Sequence, residues 1–206
     1  MSRVVLSKGE GKESVLCSRF EAEALPFSDP SSFPELLFEF KRRHPKADHY
    51  PYAYRVGESE KSSDDGEPSG SAGKPLLTLL QEEGAQCCLI LVARYFGGTK
   101  LGVGRLRRCF LSAGKEAYGN CRLGQEKEFL VLKLSLSYSR FEELKRLCRK
   151  KGFLLQEEEF SFSVKAKLAI DATIPFREED LFLKEEEILS RSQQIQVVEV
   201  RNDPVQ

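Results

Sequence analysis

The chain contains no tryptophan and a single methionine among its 206 residues. Its hydrophobic core must therefore rely on leucine, valine and isoleucine together with 14 phenylalanines. The formal charges cancel as well, with 32 basic against 32 acidic side chains. No field of the whole molecule draws such a protein toward a nucleic acid or an anionic membrane, so any partner of that kind must be met by a local patch.

The sequence also lacks the motifs of common metal and nucleophile sites. Its six cysteines form no C-x-x-C pair, which disfavours a zinc ribbon or a thioredoxin-type site. The only two histidines, His44 and His49, form no H-E-x-x-H pattern and no recognisable Ser/His/Asp order. We therefore assign no catalytic residue, no metal ligand and no cofactor, and we expect six reduced thiols.

Targeting signals and long apolar runs are missing too. Residues 1–8 have neither the apolar core nor the small-residue cleavage site of a signal peptide. No apolar run is long enough to cross a bilayer. With 40% hydrophobic and 31% charged residues, the composition is that of an ordinary globular protein. We expect a soluble, cytoplasmic protein of one or two domains with no membrane partner.

The second half of the chain is predicted to begin with a strand and a helix. Leucines alternate with mostly polar residues over 130–138, which indicates a half-buried strand. Ser139-x-x-Glu142 is a capping box, and Gly152 is suited to end the helix that follows.

The rest of this half completes a known arrangement. Alternating and short apolar runs predict strands at 153–156, 160–170 and 195–200. Pro175 opens a second helix, whose first turn carries Glu178, Glu179 and Asp180. The order βαββαβ is the ferredoxin-like arrangement, in which two helices cover one sheet face and the other face is free.

The first half mixes strands, helices and two glycine-rich loops. Predicted strands lie near 4–7, from 14 to about 25, at 49–56 and at 87–95. Predicted helices follow a capping residue at Ser32, begin at Pro75, and carry the buried stripe Leu106, Cys109, Phe110, Ala113 and Ala117. The polar segment 119–128 is expected to separate two domains, 1–122 and 127–206. The fold class is therefore predicted to be α+β.

The first candidate site is the loop from Asp64 to Pro75, which leads into a helix. Glycines let backbone amides converge, and a helix N-terminus presents unpaired N–H groups, so an anion could be held here with a lysine beside it. Its candidate residues are Asp65, Gly66, Glu67, Gly70, Gly73 and Lys74. The spacing is not that of a Walker A loop, because Pro68 stands at the first glycine and Pro75 at the magnesium-binding hydroxyl. A flexible acidic surface turn is the structural alternative.

The second candidate site is the loop from Gly97 to Gly104, between a strand and a helix. This is the geometry of an anion-binding nest, although it lacks the G-x-G-x-x-G spacing of a dinucleotide fold. Its candidate residues are Arg94, Tyr95, Gly97, Gly98, Lys100, Gly102 and Gly104. Four glycines in eight residues exceed what tight strand–helix packing, the structural alternative, usually demands.

Basic residues cluster on the helix after the second loop. Arg105, Arg108, Ser112 and Lys115 share the side opposite the apolar stripe. No acidic residue occurs from Arg94 to Lys115, whereas an ordinary solvated face would mix the signs. This face is a candidate surface for phosphate contacts.

His49 completes the candidate anion- or nucleic-acid-binding residues. It precedes Tyr50, Tyr52 and Tyr54, which alternate along a predicted strand. Bases could stack on such a strand, but half-buried structural tyrosines are more common and are the preferred interpretation.

Three long segments, in this order, make the sequence similar to the YigZ/IMPACT family. They are Ala47-Asp48-His49 with Ala53-Tyr54-Arg55, then Asp64-Asp65-Gly66-Glu67-Pro68-Ser69-Gly70 with Ala72-Gly73-Lys74-Pro75, and Arg94-Tyr95-Phe96-Gly97-Gly98 with Leu101-Gly102-Val103-Gly104 and Arg108. The resemblance covers most of residues 1 to about 120. Arg105 departs from the pattern, because it replaces a second glycine and would crowd a backbone nest while adding charge.

The resemblance implies a first domain like the second domain of ribosomal protein S5. It implies a tail like a domain of the translocating elongation factor. Both folds occur in proteins that touch RNA or the ribosome. The family's eukaryotic members act in translational control with an additional RWD-type domain that this chain lacks, so that part of their function does not carry over.

These observations favour a binding protein. Our leading hypothesis is a regulator of translation whose two loops and Arg105/Arg108 face hold RNA or ribosome phosphates, with a translation factor as a further partner. The first alternative is an enzyme for a phosphorylated small molecule, with Asp65 and Glu67 as acid and base. The second alternative is a protein–protein adaptor that uses the free sheet face of the tail.

Overall fold

The computed structural model describes residues 3–174, 181 and 183–200. Helices and strands alternate along the chain, so the α+β class is confirmed. Contacts divide the chain into two units: the first holds residues up to Gln125 together with those from Val198, and the second is Glu126–Val197. The limits predicted from the sequence, 1–122 and 127–206, stay a prediction. No helix among the described residues is long and apolar enough to span a membrane.

An antiparallel sheet of five strands forms the centre of the first unit, in the order β2-β3-β7-β4-β5. Its strands are β2 (Gly9–Val15), β3 (Ser18–Pro26), β4 (Tyr52–Val56), β5 (Ser59–Ser63) and β7 (Cys88–Tyr95). The remaining strands of the first unit are β1 (Arg3–Val5), which pairs in parallel with β6 (Ala85–Gln86) and antiparallel with Leu123–Gln125.

Helices cover both faces of this sheet. The core on one face includes residues of α2 (Gly73–Glu82) and α3 (Val103–Gly119), and the core on the other face includes residues of α1 (Phe33–Arg43). Along β7, Ile90 and Val92 enter the first core, whereas Leu89 and Leu91 enter the second. Burial on both faces explains why this strand is an unbroken apolar run in the sequence.

The strand predicted from 14 to about 25 is in fact part of a hairpin. β2 and β3 are joined by Leu16 and Cys17, whose φ angles are +46° and +64°. Two-residue hairpin turns need positive φ, which Asn-Gly or Asp-Gly usually supplies, so the sequence carried no turn signal here. A second correction concerns the predicted loop 57–73, because its residues Ser59–Ser63 form β5 and pair with β4.

The second unit contains the sheet of β8 (Leu123–Leu136), β9 (Leu154–Phe160), β10 (Val164–Asp171) and β11 (Ile188–Val200). β10 lies between β8 and β9, and β11 pairs with β8, which gives the order β11-β8-β10-β9. Leucines of β8, with Val164 and Leu168 of β10, pack against Phe141 and Leu144 of α4 (Tyr138–Lys151).

Two details of the second unit differ from the sequence prediction. α4 is capped by Ser137, whose side chain accepts a hydrogen bond from the Arg140 N–H, and not by the predicted box at Ser139. β8 begins at Leu123, inside the polar segment expected to be a linker, because pairing with β1 gives these residues backbone partners. Gly152 ends α4 in the left-handed conformation as predicted, with φ +74°. The helix predicted at Pro175 and its acids Glu178, Glu179 and Asp180 lie outside the described residues.

Candidate functional site

Two of the sequence segments that carry the family resemblance meet at the end of β7. The Arg94 N–H donates to the His49 carbonyl at 3.0 Å, and the Asp48 N–H donates to the Arg94 carbonyl at 2.8 Å. The third segment joins them through Asp65, whose carboxylate accepts the Tyr50 N–H at 2.7 Å and whose carbonyl lies 2.7 Å from His49 Nδ1. These contacts bring together residues that are up to 46 positions apart in the chain, from Asp48 to Arg94.

A buried ion pair ties the first loop to β7. Arg94 Nη1 donates to Glu67 Oε1 at 2.6 Å and also contacts Oε2. The two side chains are only 8% and 1% exposed, respectively. Breaking one partner of such a pair would leave an uncompensated buried charge, so the pair locks the loop in place.

The carboxylate of Asp64 fills the first loop. Its Oδ2 accepts the Gly70 N–H at 2.8 Å, and its Oδ1 accepts the N–H groups of Ala72 and Gly73 at 2.9 and 2.8 Å. Burial alone would raise the pKa of Asp64, but the three backbone donors outweigh it and hold this pKa below its ordinary value. The amides of Gly70 and Gly73 were expected to converge on an external anion; they converge on a carboxylate of the chain itself.

The second loop has a different balance. The Phe96 N–H donates to Asp48 Oδ2 at 2.7 Å, and the Gly97 N–H donates to Ser18 Oγ at 3.0 Å. A Cβ on Gly97 would lie 2.2 Å from the Cys17 carbonyl carbon, so the close approach requires glycine. Beyond it, no hydrogen bond within the described part of the chain occupies the backbone N–H groups of residues 98–105.

Exposed cations surround these N–H groups. Lys100, Arg105 and Arg108 are exposed, and none forms an ion pair with any residue that the structure describes. The start of α3 has no acidic residue in its first turn and no side-chain cap. Since a helix N-terminus carries a partial positive charge, this end of α3 is strongly electropositive.

The Cys109 thiol shows that Arg94 and the basic helix face share one neighbourhood. Burial raises the pKa of Cys109, and the charge of Glu13 acts in the same direction. The guanidinium groups of Arg105, Arg94 and Arg108 act on the same thiol in the opposite direction. The core ion pair therefore lies beneath the surface that carries the helix cations.

The predicted site residues thus fall into three groups. His49, Asp65, Gly66, Glu67 and Arg94 form one connected cluster, in which a Cβ on Gly66 would lie 3.1 Å from His49 Cε1. Gly98, Lys100, Gly102, Gly104, Arg105 and Arg108 line the exposed loop and helix start. Tyr95 belongs to neither, because its hydroxyl lies 2.9 Å from His44 Nδ1 on the α1 side of the sheet, and Lys74 is exposed on α2.

Sequence reasoning missed three residues that shape the site. Asp64, Asp48 and Ser18 each accept a backbone N–H of a candidate loop. Asp64 precedes its acceptor amides by six to nine positions, and an Asp in a glycine-rich turn is the only hint the sequence offers. Asp48 and Ser18 act over 48 and 79 positions, for which a single sequence has no signal.

The geometry argues against Glu67 as a proton donor or acceptor in catalysis. Its carboxylate is buried and paired with Arg94, so a substrate approaching from solvent would not reach it. Among the described residues, no group of three His, Cys, Asp or Glu side chains could hold a metal ion.

Comparison with known proteins identifies relatives over both units. The Impact N-terminal domain matches residues 17–118. YvyE of Bacillus subtilis (strain 168), an IMPACT family member, is 31% identical over 170 residues, which cover 81% of this chain and 78% of YvyE. An IMPACT family member of Thermus thermophilus is 43% identical over 100 residues, which cover 48% of this chain and 54% of that protein. YigZ of Escherichia coli (strain K12) is 40% identical over 75 residues, which cover 34% of this chain and 37% of YigZ.

A solved structure of a hypothetical protein shares the fold. It covers 98% of both chains with a TM-score of 0.57 and 20% sequence identity. The two-domain translational regulator Yih1 is also matched, over 58% of this chain and 47% of the other, but its TM-score of 0.34 carries no argument. The matched domain and the identity to YvyE over more than two thirds of that protein establish the family: this chain belongs to the IMPACT family.

Proposed function

We propose that this protein regulates translation by binding phosphate groups of RNA or of the ribosome at the second glycine loop and the N-terminus of α3. One observation carries the proposal: the N–H groups of residues 98–105 have no partner in the described chain, and the cations beside them have no counter-ion. Backbone N–H groups at a helix start and adjacent basic side chains are the groups that bind phosphate.

The first loop has a supporting role in this proposal. Asp64 occupies its amides, and the loop holds Arg94 through Glu67. We therefore propose that His49, Asp65, Gly66, Glu67, Gly70, Gly73 and Arg94 position the second loop, and that Gly98, Lys100, Gly102, Gly104, Arg105 and Arg108 contact the anion. Lys74 and Tyr95 remain predicted members of the wider surface.

The choice of RNA as the source of phosphate rests on the family. Translational control by eukaryotic members, implied by the resemblance, supports a translational role and a cytoplasmic location. The strand order β11-β8-β10-β9 supports a ferredoxin-like second domain. The resemblance supports a first domain like the second domain of ribosomal protein S5. A translation factor is a further proposed partner.

Co-sedimentation with ribosomes, and anisotropy with labelled RNA, at several salt concentrations tests the proposal. Each phosphate contact contributes about −0.7 to the slope of log K against log salt for single strands. Arg105→Ala with Arg108→Ala should weaken binding and make this slope less negative by about 1.4.

A matched control is Lys46→Ala with Lys61→Ala, since both residues are exposed cations of the first unit without an ion pair to a described residue. This control should bind almost as the unmodified protein does. Binding that is insensitive to salt, or equal losses in the two double variants, would refute a phosphate site at α3.

The adaptor function remains a second candidate because the second unit exposes apolar side chains on one sheet face. Leu154, Leu189, Ile195 and Val197 are 49%, 55%, 68% and 46% exposed. Leu154 alternates with Leu155, and Leu189 with Ile188, which pack on the α4 side, so the exposed residues point to the other face. If this face binds a ribosome-associated protein, Ile195→Lys will abolish co-sedimentation, and added salt or the α3 variants will not.

A further inference from the structure

Phe96 is an exposed aromatic ring at the junction between β7 and the second loop. Its exposure is 46%, whereas Phe20, Phe40 and Phe110 of the same unit are fully buried. The backbone places Phe96 between two fixed neighbours: Arg94 pairs with Glu67, and the Gly97 N–H is bound by Ser18.

The ring is held from behind by charged groups in the core. The Arg94 guanidinium carbon lies 5.5 Å from the Phe96 ring centroid and 5.6 Å from that of Phe20. The Phe96 N–H donates to Asp48 Oδ2 at 2.7 Å. A buried cation and a backbone contact thus fix the aromatic ring before any ligand arrives, which lowers the conformational entropy lost on binding.

The exposed side of this ring adjoins the proposed phosphate site. The loop with unoccupied N–H groups begins two residues after Phe96. Arg94, which backs the ring, acts on the same Cys109 thiol as Arg105 and Arg108. Aromatic rings beside a cationic surface that follows the backbone are the arrangement by which proteins bind unpaired nucleic acid bases.

We propose that Phe96 stacks with an unpaired base of single-stranded RNA whose neighbouring phosphate is bound at the start of α3. This inference rests on the proposed function and narrows its ligand, because bases within a duplex are stacked on each other and cannot reach the ring. Phe96 therefore selects single strands, and the loop and helix cations supply affinity for any RNA.

The first test measures the affinity of two fluorescein-labelled RNAs, a twelve-nucleotide oligouridine and a duplex of the same strand length. Loss of a stacked base is expected to weaken binding of the oligouridine about tenfold in Phe96→Leu. Phe96→Tyr should retain this binding, and neither variant should change the duplex affinity, which also reports on correct folding. Phe38→Leu is the matched control, because Phe38 is 65% exposed on α1.

A second test uses the absence of tryptophan from the chain. Phe96→Trp introduces a single indole, whose fluorescence oligouridine should quench by stacking, whereas the indole of Phe38→Trp should be unaffected. The outcomes separate the two proposals. If neither RNA binds the unmodified protein, the phosphate site is refuted; if both bind but Phe96→Leu binds oligouridine normally or loses both RNAs equally, or Phe96→Trp is not quenched, base stacking is refuted and the phosphate site stands.

Discussion

Replacing Asp64 with alanine removes one carboxylate that accepts three backbone hydrogen bonds. Hydrogen bonds to a charged group contribute about 1.5–3 kcal/mol each, so their simple sum is an upper limit of about 5–9 kcal/mol. Water can replace part of the loss at Gly70, which is half-buried, but not at Ala72 and Gly73, which are buried. Two buried N–H groups without a partner cost about 1–3 kcal/mol each, and we expect a destabilisation of about 3–5 kcal/mol.

Urea unfolding of Asp64→Ala against Asp65→Ala measures this difference. Asp65 is the matched control, since it adjoins Asp64 and its carboxylate accepts one backbone N–H, that of Tyr50. Its loss should cost about 1–2 kcal/mol. Equal destabilisation by the two variants would refute the assignment of Asp64 as the group that organises the first loop.

The pH dependence of this contribution has a definite sign. Because the pKa of Asp64 is lower in the folded protein than its ordinary value of 3.8, the contribution is fully present above that value. It is lost as pH falls through the lower, folded pKa. The stability difference between the unmodified protein and Asp64→Asn should therefore be constant above about pH 5 and shrink below about pH 4.

Three further predictions concern other parts of the molecule. Lys127 and Thr173 hold the pKa of Asp171 at about 2, so Lys127→Met should raise this pKa toward 3.8 in a carboxyl NMR titration; an unchanged value would contradict the pairing. Gly97→Ala should destabilise the protein by more than about 2 kcal/mol through its clash with the β2–β3 turn, whereas Gly104→Ala, with open space around it, should stabilise α3 by up to about 1 kcal/mol in thermal unfolding. Cys17 is the one fully exposed cysteine, so the native protein should react rapidly with one equivalent of a thiol reagent and Cys17→Ser with none.

Elements with strong periodicity were predictable because local and tertiary preferences agree there. The alternation over 130–138 became part of β8, and the apolar stripe through Leu106 and Phe110 became the buried face of α3. Gly152 ends its helix as predicted, since only a residue that tolerates positive φ is comfortable there. The three motif segments also sufficed to recognise the family that the comparisons establish.

Other features depended on contacts that a local pattern does not contain. The hairpin turn at Leu16 and Cys17 takes positive φ without Gly or Asn, and the polar β5 is a strand because β4 pairs with it. The anion-like occupant of the first loop is another case. Glycines that bring amides together look the same in sequence whether a phosphate or an aspartate of the same chain receives them.

The sequence by itself determined the α+β class, the family, and the two glycine-rich loops with a one-sided basic helix, since these depend on residue type and spacing. Only the tertiary structure decided which loop has N–H groups left for a ligand. That outcome depends on where Asp64, Asp48 and Ser18 place their oxygen atoms. Hydrogen-bond partners are exclusive, so an amide taken by the chain's own carboxylate is lost to an external anion, and long-range folding alone distributes those carboxylates.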